Sequence, residues 1–183
     1  MLDVLGGRRA AVAALTAITG VYYLLVALTN CTDTETNRKG VASVLSMRDT
    51  LHNPGIDWRA MTNDGVALGA YVVIVAWEWL IALVLLAAAA MWLRALIARS
   101  GPRRARVDTA AKLSSLGWTM AVLLFAGGFL TIGGEWFRMW ANDDVDASSA
   151  ALQNFLIAAV GLILVHLPET NGPGRRTPAP DDE

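Results

Sequence analysis

LGAYVVIVAWEWLIALVLLAAAAMWL, residues 68–93, carries a single charge, Glu78, among apolar neighbours. An α-helix needs about 20 apolar residues to cross a hydrocarbon core roughly 30 Å thick, because each residue advances it by 1.5 Å. This run is long enough. A carboxylate near the middle of such a helix costs about 2.5–3.5 kcal/mol on insertion scales, while each central Leu, Ile or Val contributes roughly −0.3 to −0.6 kcal/mol. The stretch holds twelve of these residues, so insertion outweighs the glutamate.

Three further stretches read the same way: residues 10–29 and 113–134 hold no charged residue, and 147–167 holds none apart from the titratable His166. Four spans predict an all-α integral membrane protein, a four-helix bundle occupying residues 1–167. The composition agrees, with 55% hydrophobic and 17% charged residues, where a soluble domain carries about a quarter charged. The first span also resembles a secretory signal, with Arg8 and Arg9 ahead of it and Leu28-Thr29-Asn30-Cys31 loosely matching a lipoprotein cleavage box. Signal cores run about 7–15 residues and end at small residues, so the longer run is expected to be retained.

Basic residues resist translocation and set orientation. With the N-terminus inside, the inner side holds Arg8, Arg9, Arg94, Arg99, Arg103, Arg104, Arg106, Lys112, Arg175 and Arg176, ten residues, against Arg38, Lys39, Arg48, Arg59 and Arg138, five, outside. The expectation is a bacterial cytoplasmic membrane protein with both ends in the cytoplasm. The basic turn 99–106 suits anionic headgroups, although topology alone accounts for its charge. Residues 168–183, rich in Pro, Gly and charge, read as a disordered cytoplasmic tail.

Residues 30–67 form the one large connection, an outer cap. Val41, Val44, Leu45 and Leu51 fall mostly at helical spacing beside Arg38, Lys39, Arg48 and Asp49, which predicts an amphipathic helix on the membrane surface or over the bundle mouth. Asn53-Pro54-Gly55 predicts a turn, and Trp58 an interfacial anchor.

An ionisable residue inside a span is a functional candidate by default. Glu78 is expected to be protonated or tightly paired; its readings are a proton relay, a cation site, a hydrogen bond to lipid or quinone, or a polar packing contact to a neighbouring helix or subunit. At the end of the third span, Gly133-Gly134-Glu135-Trp136-Phe137-Arg138-Met139-Trp140 combines close-packing glycines with interfacial aromatic residues, and Glu135 and Arg138 are spaced for a helical ion pair. An aromatic belt with a surface pair is the simpler account of that block. Asp143, Asp144 and Asp146 lack the alternating spacing of a calcium loop, and Asp146 reads as a cap on the fourth helix. Small residues four apart, Ala10 and Ala14, Ala13 and Ala17, Gly117 and Ala121, together with Gly127 and Gly128, predict close helix contacts.

Other chemistries find little support. A net charge of −1 leaves no basic excess for nucleic acid. One cysteine, Cys31, forms no internal disulfide, and two histidines with it make a poor metal-ligand set. Bis-histidine haem ligation within the chain fails because His52 lies in the outer connection and His166 at the inner end of the fourth span. A haem shared with a partner chain through His166 is the remaining arrangement.

The chain resembles the bacterial family described as predicted small integral membrane proteins, of unknown function. Two blocks carry the resemblance: Leu28-Thr29-Asn30, Thr32-Asp33 and Asn37, followed by Val44-Leu45-Ser46-Met47 with Asp49-Thr50; and Gly133-Gly134-Glu135-Trp136-Phe137 with Met139-Trp140. Trp58-Arg59 and Glu78 also match, while Arg48 interrupts the first block. The resemblance implies four helices and an outer-face feature built from both blocks, with Glu135, Arg138, Asp33 and Asn37 as contacts and Asn30, Ser46, Met47 and Trp136 within the matched segments. It implies no activity.

The leading expectation is a non-catalytic accessory or anchor subunit that sits in lipid, needs no cofactor and packs against a larger membrane protein, in a respiratory or transport assembly. The alternatives are a small proton- or cation-linked transporter using Glu78, and a subunit anchoring quinone or a shared haem.

Overall fold

The computed structural model describes residues 6–97 and 103–168. Four long helices account for the four apolar stretches: α1 (Arg8–Thr32), α3 (Asp64–Ile97), α4 (Arg103–Val122) with its continuation (Leu123–Trp136), and α5 (Ser148–His166). Each is long and apolar enough to cross a membrane. α1, α3 and α4 overrun their apolar runs, because helix geometry persists into the headgroup layer where hydrocarbon ends. The expected tail after residue 168 and part of the basic turn lie outside the described residues.

α1 packs mainly on α3, α3 on α4, α4 on α5, and α5 returns to α1, closing a four-helix ring. The inward stripe of α1 is Val12, Thr16, Thr19, Gly20, Tyr23 and Ala27, at helical spacing, while Ile18, Val21 and Leu25 face outward. An apolar exterior of this kind is what a lipid-embedded bundle presents, since lipid tails reward outward leucine as well as inward leucine. Close approach therefore depends on small residues. A Cβ added at Gly117 would lie 2.5 Å from Leu85 Cδ2, and one added at Gly161 would strike the Trp118 ring. Ala121 is fully buried as expected, but Ala14 is exposed and a Cβ on Gly127 would meet nothing within 4 Å, so those two are not contact points.

The continuation of α4, Leu123–Trp136, is a π-helix, visible in bonds to the fifth residue back: Phe137 N to Ile132 O, 3.0 Å, and Thr131 Oγ1 to Ala126 O, 2.7 Å. Such runs are rare and usually a single turn. In this wider winding a Cβ at Gly134 would come 3.3 Å from Phe129 O, a contact glycine avoids.

The cap contains the expected helix, α2 (Thr34–Ser46), packed on α3. Val41, Val44 and Leu45 are half-buried in it, but Leu51 lies beyond its end and is 61% exposed. The helix stops because Met47 adopts a left-handed conformation, φ 51°, with its side chain buried. Asn53 makes the expected turn, its Oδ1 accepting from Gly55 N at 2.9 Å, and a single 3-10 turn, Asp57–Arg59, follows. Met61 N then donates to Leu45 O at 2.8 Å, tying the return strand of the cap to α2. Asp146 accepts from Ser148 N at 2.9 Å, helping to start α5.

Candidate functional site

Two neighbourhoods gather the expected residues. In the first, Glu78 projects from α3 into the bundle, 3% exposed, where its Oε2 accepts from Asn30 Nδ2 of α1 at 2.5 Å. Asn30 is held a second time: its backbone carbonyl accepts from the hydroxyl of Tyr71, two turns earlier on α3, also at 2.5 Å. Residues seven apart on a helix share a face, so Tyr71 and Glu78 grip Asn30 from either side. Beside them Trp79 Nε1 donates to Cys31 Sγ at 3.4 Å. The carboxyl is thus paired within the chain, one of the two states expected of it, and it joins α1 to α3.

Similar stitches join the other helices. Tyr23, fully buried on α1 one face-repeat before Asn30, donates to Asn154 Oδ1 of α5 at 3.2 Å and stacks on Phe125 with ring centroids 5.9 Å apart. Asn154 Nδ2 donates to Ala150 O and to the Tyr22 hydroxyl. Trp77 Nε1 reaches Met120 O at 2.9 Å, linking α3 to α4. Trp92 Nε1 donates to Ser114 Oγ at 3.0 Å, and Thr16 Oγ1 lies 3.2 Å from the same oxygen, so α1, α3 and α4 share one hydroxyl. Tyr23, Tyr71, Ser114 and Asn154 are not among the residues singled out in the sequence, where the acids, bases and histidines of the spans stand out first. The signal was there in uncharged polar residues within apolar runs, since each must find a partner away from water.

The second neighbourhood joins the cap to the end of the third span. Arg59 of the cap places its guanidinium carbon 4.4 Å from the Trp136 ring centroid and 5.8 Å from that of Trp58, and its Nη1 donates to Trp136 O at 3.5 Å. The two indoles meet edge to face with centroids 5.9 Å apart. Arg138 Nη1 donates to Leu51 O at 3.3 Å while its guanidinium lies 5.7 Å from the Trp140 ring centroid. Asn142, fully buried, donates from Nδ2 to Ser43 Oγ at 3.0 Å and orders its own loop by accepting from Asp144 N and Val145 N.

The cap therefore does meet the end of the third span, through partly different residues from those expected. Arg138 takes part; Glu135 and Asp33 are exposed, and Asn37 Nδ2 donates to Asp33 O one turn back. The Glu135–Arg138 ion pair is absent because the helix ends between them and Arg138 is left-handed, φ 57°, which aims its side chain at the cap. Ser46 Oγ bonds Ser43 O, and Met47 O accepts from Thr50, so both shape the bend after α2. Trp58 is 70% exposed, Trp140 49% and Trp136 43%, leaving an aromatic rim around the junction.

His52 sits 3.8 Å from Asp57 in the cap. His166 is exposed at the far end of α5, where its Nδ1 donates to Leu162 O at 2.8 Å. Among the described residues, no three His, Cys, Asp or Glu side chains are placed to hold a metal ion together.

A family model described as predicted small integral membrane protein matches residues 8–168, which takes in every helix and the cap. No curated protein and no solved structure matches the chain.

Proposed function

The chain belongs to the family of predicted small integral membrane proteins, and from that footing we propose that it is a non-catalytic accessory or anchor protein of a bacterial cytoplasmic membrane, packed against a larger membrane partner. Both termini lie on the cytoplasmic side in this proposal, following the ten-to-five distribution of basic residues. One observation supports the reading above the others: a cap fixed to the third span by Arg59, Arg138 and Asn142, with Trp58, Trp136 and Trp140 displayed at its rim. Exposed Trp and Arg side chains are among those enriched in protein interfaces. Purification from native membranes in mild detergent tests it. Co-migration with a larger membrane protein, lost in a Trp58→Ala/Trp136→Ala double variant, is the expected result; a chain that runs only as a monomer or homo-oligomer overturns it.

A second reading rests on the buried carboxyl. Glu78 inside a span supports a small proton- or cation-linked carrier, and its engagement by Asn30 counts towards a packing role instead. Carriers commonly show interrupted helices around a central site, whereas α3 runs unbroken through Glu78. Flux in reconstituted vesicles that vanishes in Glu78→Gln would favour the carrier, and unchanged flux removes it. Quinone or a haem shared through His166 would declare itself by co-purification or visible absorbance.

A further inference from the structure

Arg59, in the cap, is short of acceptors. A guanidinium has five N–H donors, yet among the described residues this one makes a single hydrogen bond, from Nη1 to Trp136 O at 3.5 Å, and its Nε is buried with no acceptor. The ion pairs of the cap, Lys39–Glu35 and His52–Asp57, leave it out. Buried donors in folded proteins nearly always have partners, so an orphan of this kind calls for one from outside the chain. The faces of the cation are occupied by the Trp136 and Trp58 rings, and such stacking leaves the in-plane N–H groups to meet an anion. A further donor stands beside them: the Trp58 indole N–H donates to Gly55 O at 3.1 Å, whereas that of Trp136, on a half-exposed ring, has no acceptor among the described residues. We propose that Arg59 and Trp136 bind the phosphate of a zwitterionic phospholipid, one whose headgroup joins that phosphate to an ammonium.

Depth points to a lipid. Trp136 closes the third span and lies two residues past the apolar run 113–134. A guanidinium stacked on its ring therefore stands where hydrocarbon gives way to headgroups, the level at which indole rings settle. Phosphate is the charged acceptor that lipid supplies there, and its oxygens match the paired donors of arginine. Ile132, about one turn before Trp136, is 53% exposed, and Met61, two residues after Arg59, is 46% exposed. Both give acyl chains an apolar surface next to the headgroup.

Charge selects the headgroup. The two connections at the capped end, residues 30–67 and 135–146, carry nine acids against five bases. Their summed field disfavours a lipid of net negative charge. A zwitterionic headgroup avoids that repulsion, because its phosphate meets Arg59 while its ammonium faces the exposed acids, among them Glu135 beside Trp136 in the chain.

Titration of the purified full-length chain with phosphatidylethanolamine, phosphatidylglycerol or diacylglycerol, read by mass spectrometry of the intact protein–lipid complex, tests the site. Phosphatidylethanolamine should be retained most tightly, and diacylglycerol, which has no phosphate, least. Arg59→Gln should weaken phosphatidylethanolamine binding by about fivefold. Trp136→Phe keeps a ring against Arg59 and removes only the indole N–H, so it should weaken binding by about threefold with the cap in place. Arg38→Gln, at an exposed arginine of α2 that contacts neither ring, should leave binding unchanged. Equal retention of diacylglycerol, equal or tighter retention of phosphatidylglycerol, or an equal loss in Arg38→Gln would each overturn the proposal. So would a loss in Arg59→Gln that Trp136→Phe does not share, since disruption of the cap alone would then account for it. The larger membrane partner is absent from this measurement, so lipid retention and co-migration with that partner succeed or fail separately.

Discussion

Asn30 and Glu78 stand 48 positions apart in the chain, yet their side chains share one hydrogen bond inside the bundle. A buried acceptor stripped of its donor costs about 1–3 kcal/mol, and more when it is charged. Asn30→Ala should therefore destabilise the protein by about that amount, while Glu78→Gln, which keeps an oxygen to accept from Asn30, should change it by roughly 0.5 kcal/mol or less. Unfolding in mixed micelles measures both, and a Glu78→Gln loss equal to that of Asn30→Ala would show that the charge itself is needed. A second residue-level expectation concerns the cap. Lys39 Nζ lies 2.7 Å from Glu35 Oε1, and this hydrogen bond, then the ammonium charge, holds the Glu35 carboxyl below its usual range. A pKa lowered by folding adds stability above the unfolded value and loses it as pH falls through the folded value. Acidification below the ordinary carboxylate range should thus release the pair locally in α2, and Lys39→Gln should return Glu35 to ordinary titration, as followed by carboxyl carbon NMR. The exposure of both side chains confines the effect to that turn.

Between helices, contact is set by where side chains are missing. Gly161→Ala would push into Trp118 and Gly117→Ala into Leu85, and overpacking of this kind costs about 1–3 kcal/mol. Gly69, on the same kind of helix but with open space around its Cβ position, is the control: Gly69→Ala should be neutral or raise stability by up to about 1 kcal/mol through helix propensity. Thermal unfolding of the three variants in detergent decides whether helix contact or glycine content matters. At the cap, Arg59→Ala removes the cation from two indoles, and such contacts contribute about 0.5–2 kcal/mol. Amide exchange across residues 34–61 should then quicken while exchange within α3 and α5 stays slow. The helices themselves were legible from apolar length, and α2 from its spacing. The π-helical winding and the left-handed Met47 and Arg138 were not, because both arise from how the ends of the elements are pulled together and leave no periodic mark. The Glu135–Arg138 pairing failed for that reason: it assumed a helix that the chain had already left.

For the whole molecule, four spans and a family of small integral membrane proteins were readable from hydropathy and two sequence blocks, and the structure and the family match bear out both. The residues that knit the bundle were less visible. Tyr23, Tyr71, Ser114 and Asn154 are ordinary in a list of residue types, and only the helix register brings them opposite their partners. Four crossings put the capped end and the arginine-rich end of the bundle on opposite faces of one bilayer. Labelling with a membrane-impermeant maleimide tests that most directly, using, in a Cys31→Ser background, a His52→Cys variant in the exposed cap or a Ser100→Cys variant between α3 and α4. In sealed cells the position 52 thiol should react at once and the position 100 thiol only after the membrane is opened; reaction of both from the same side would contradict the fold's passage through the membrane.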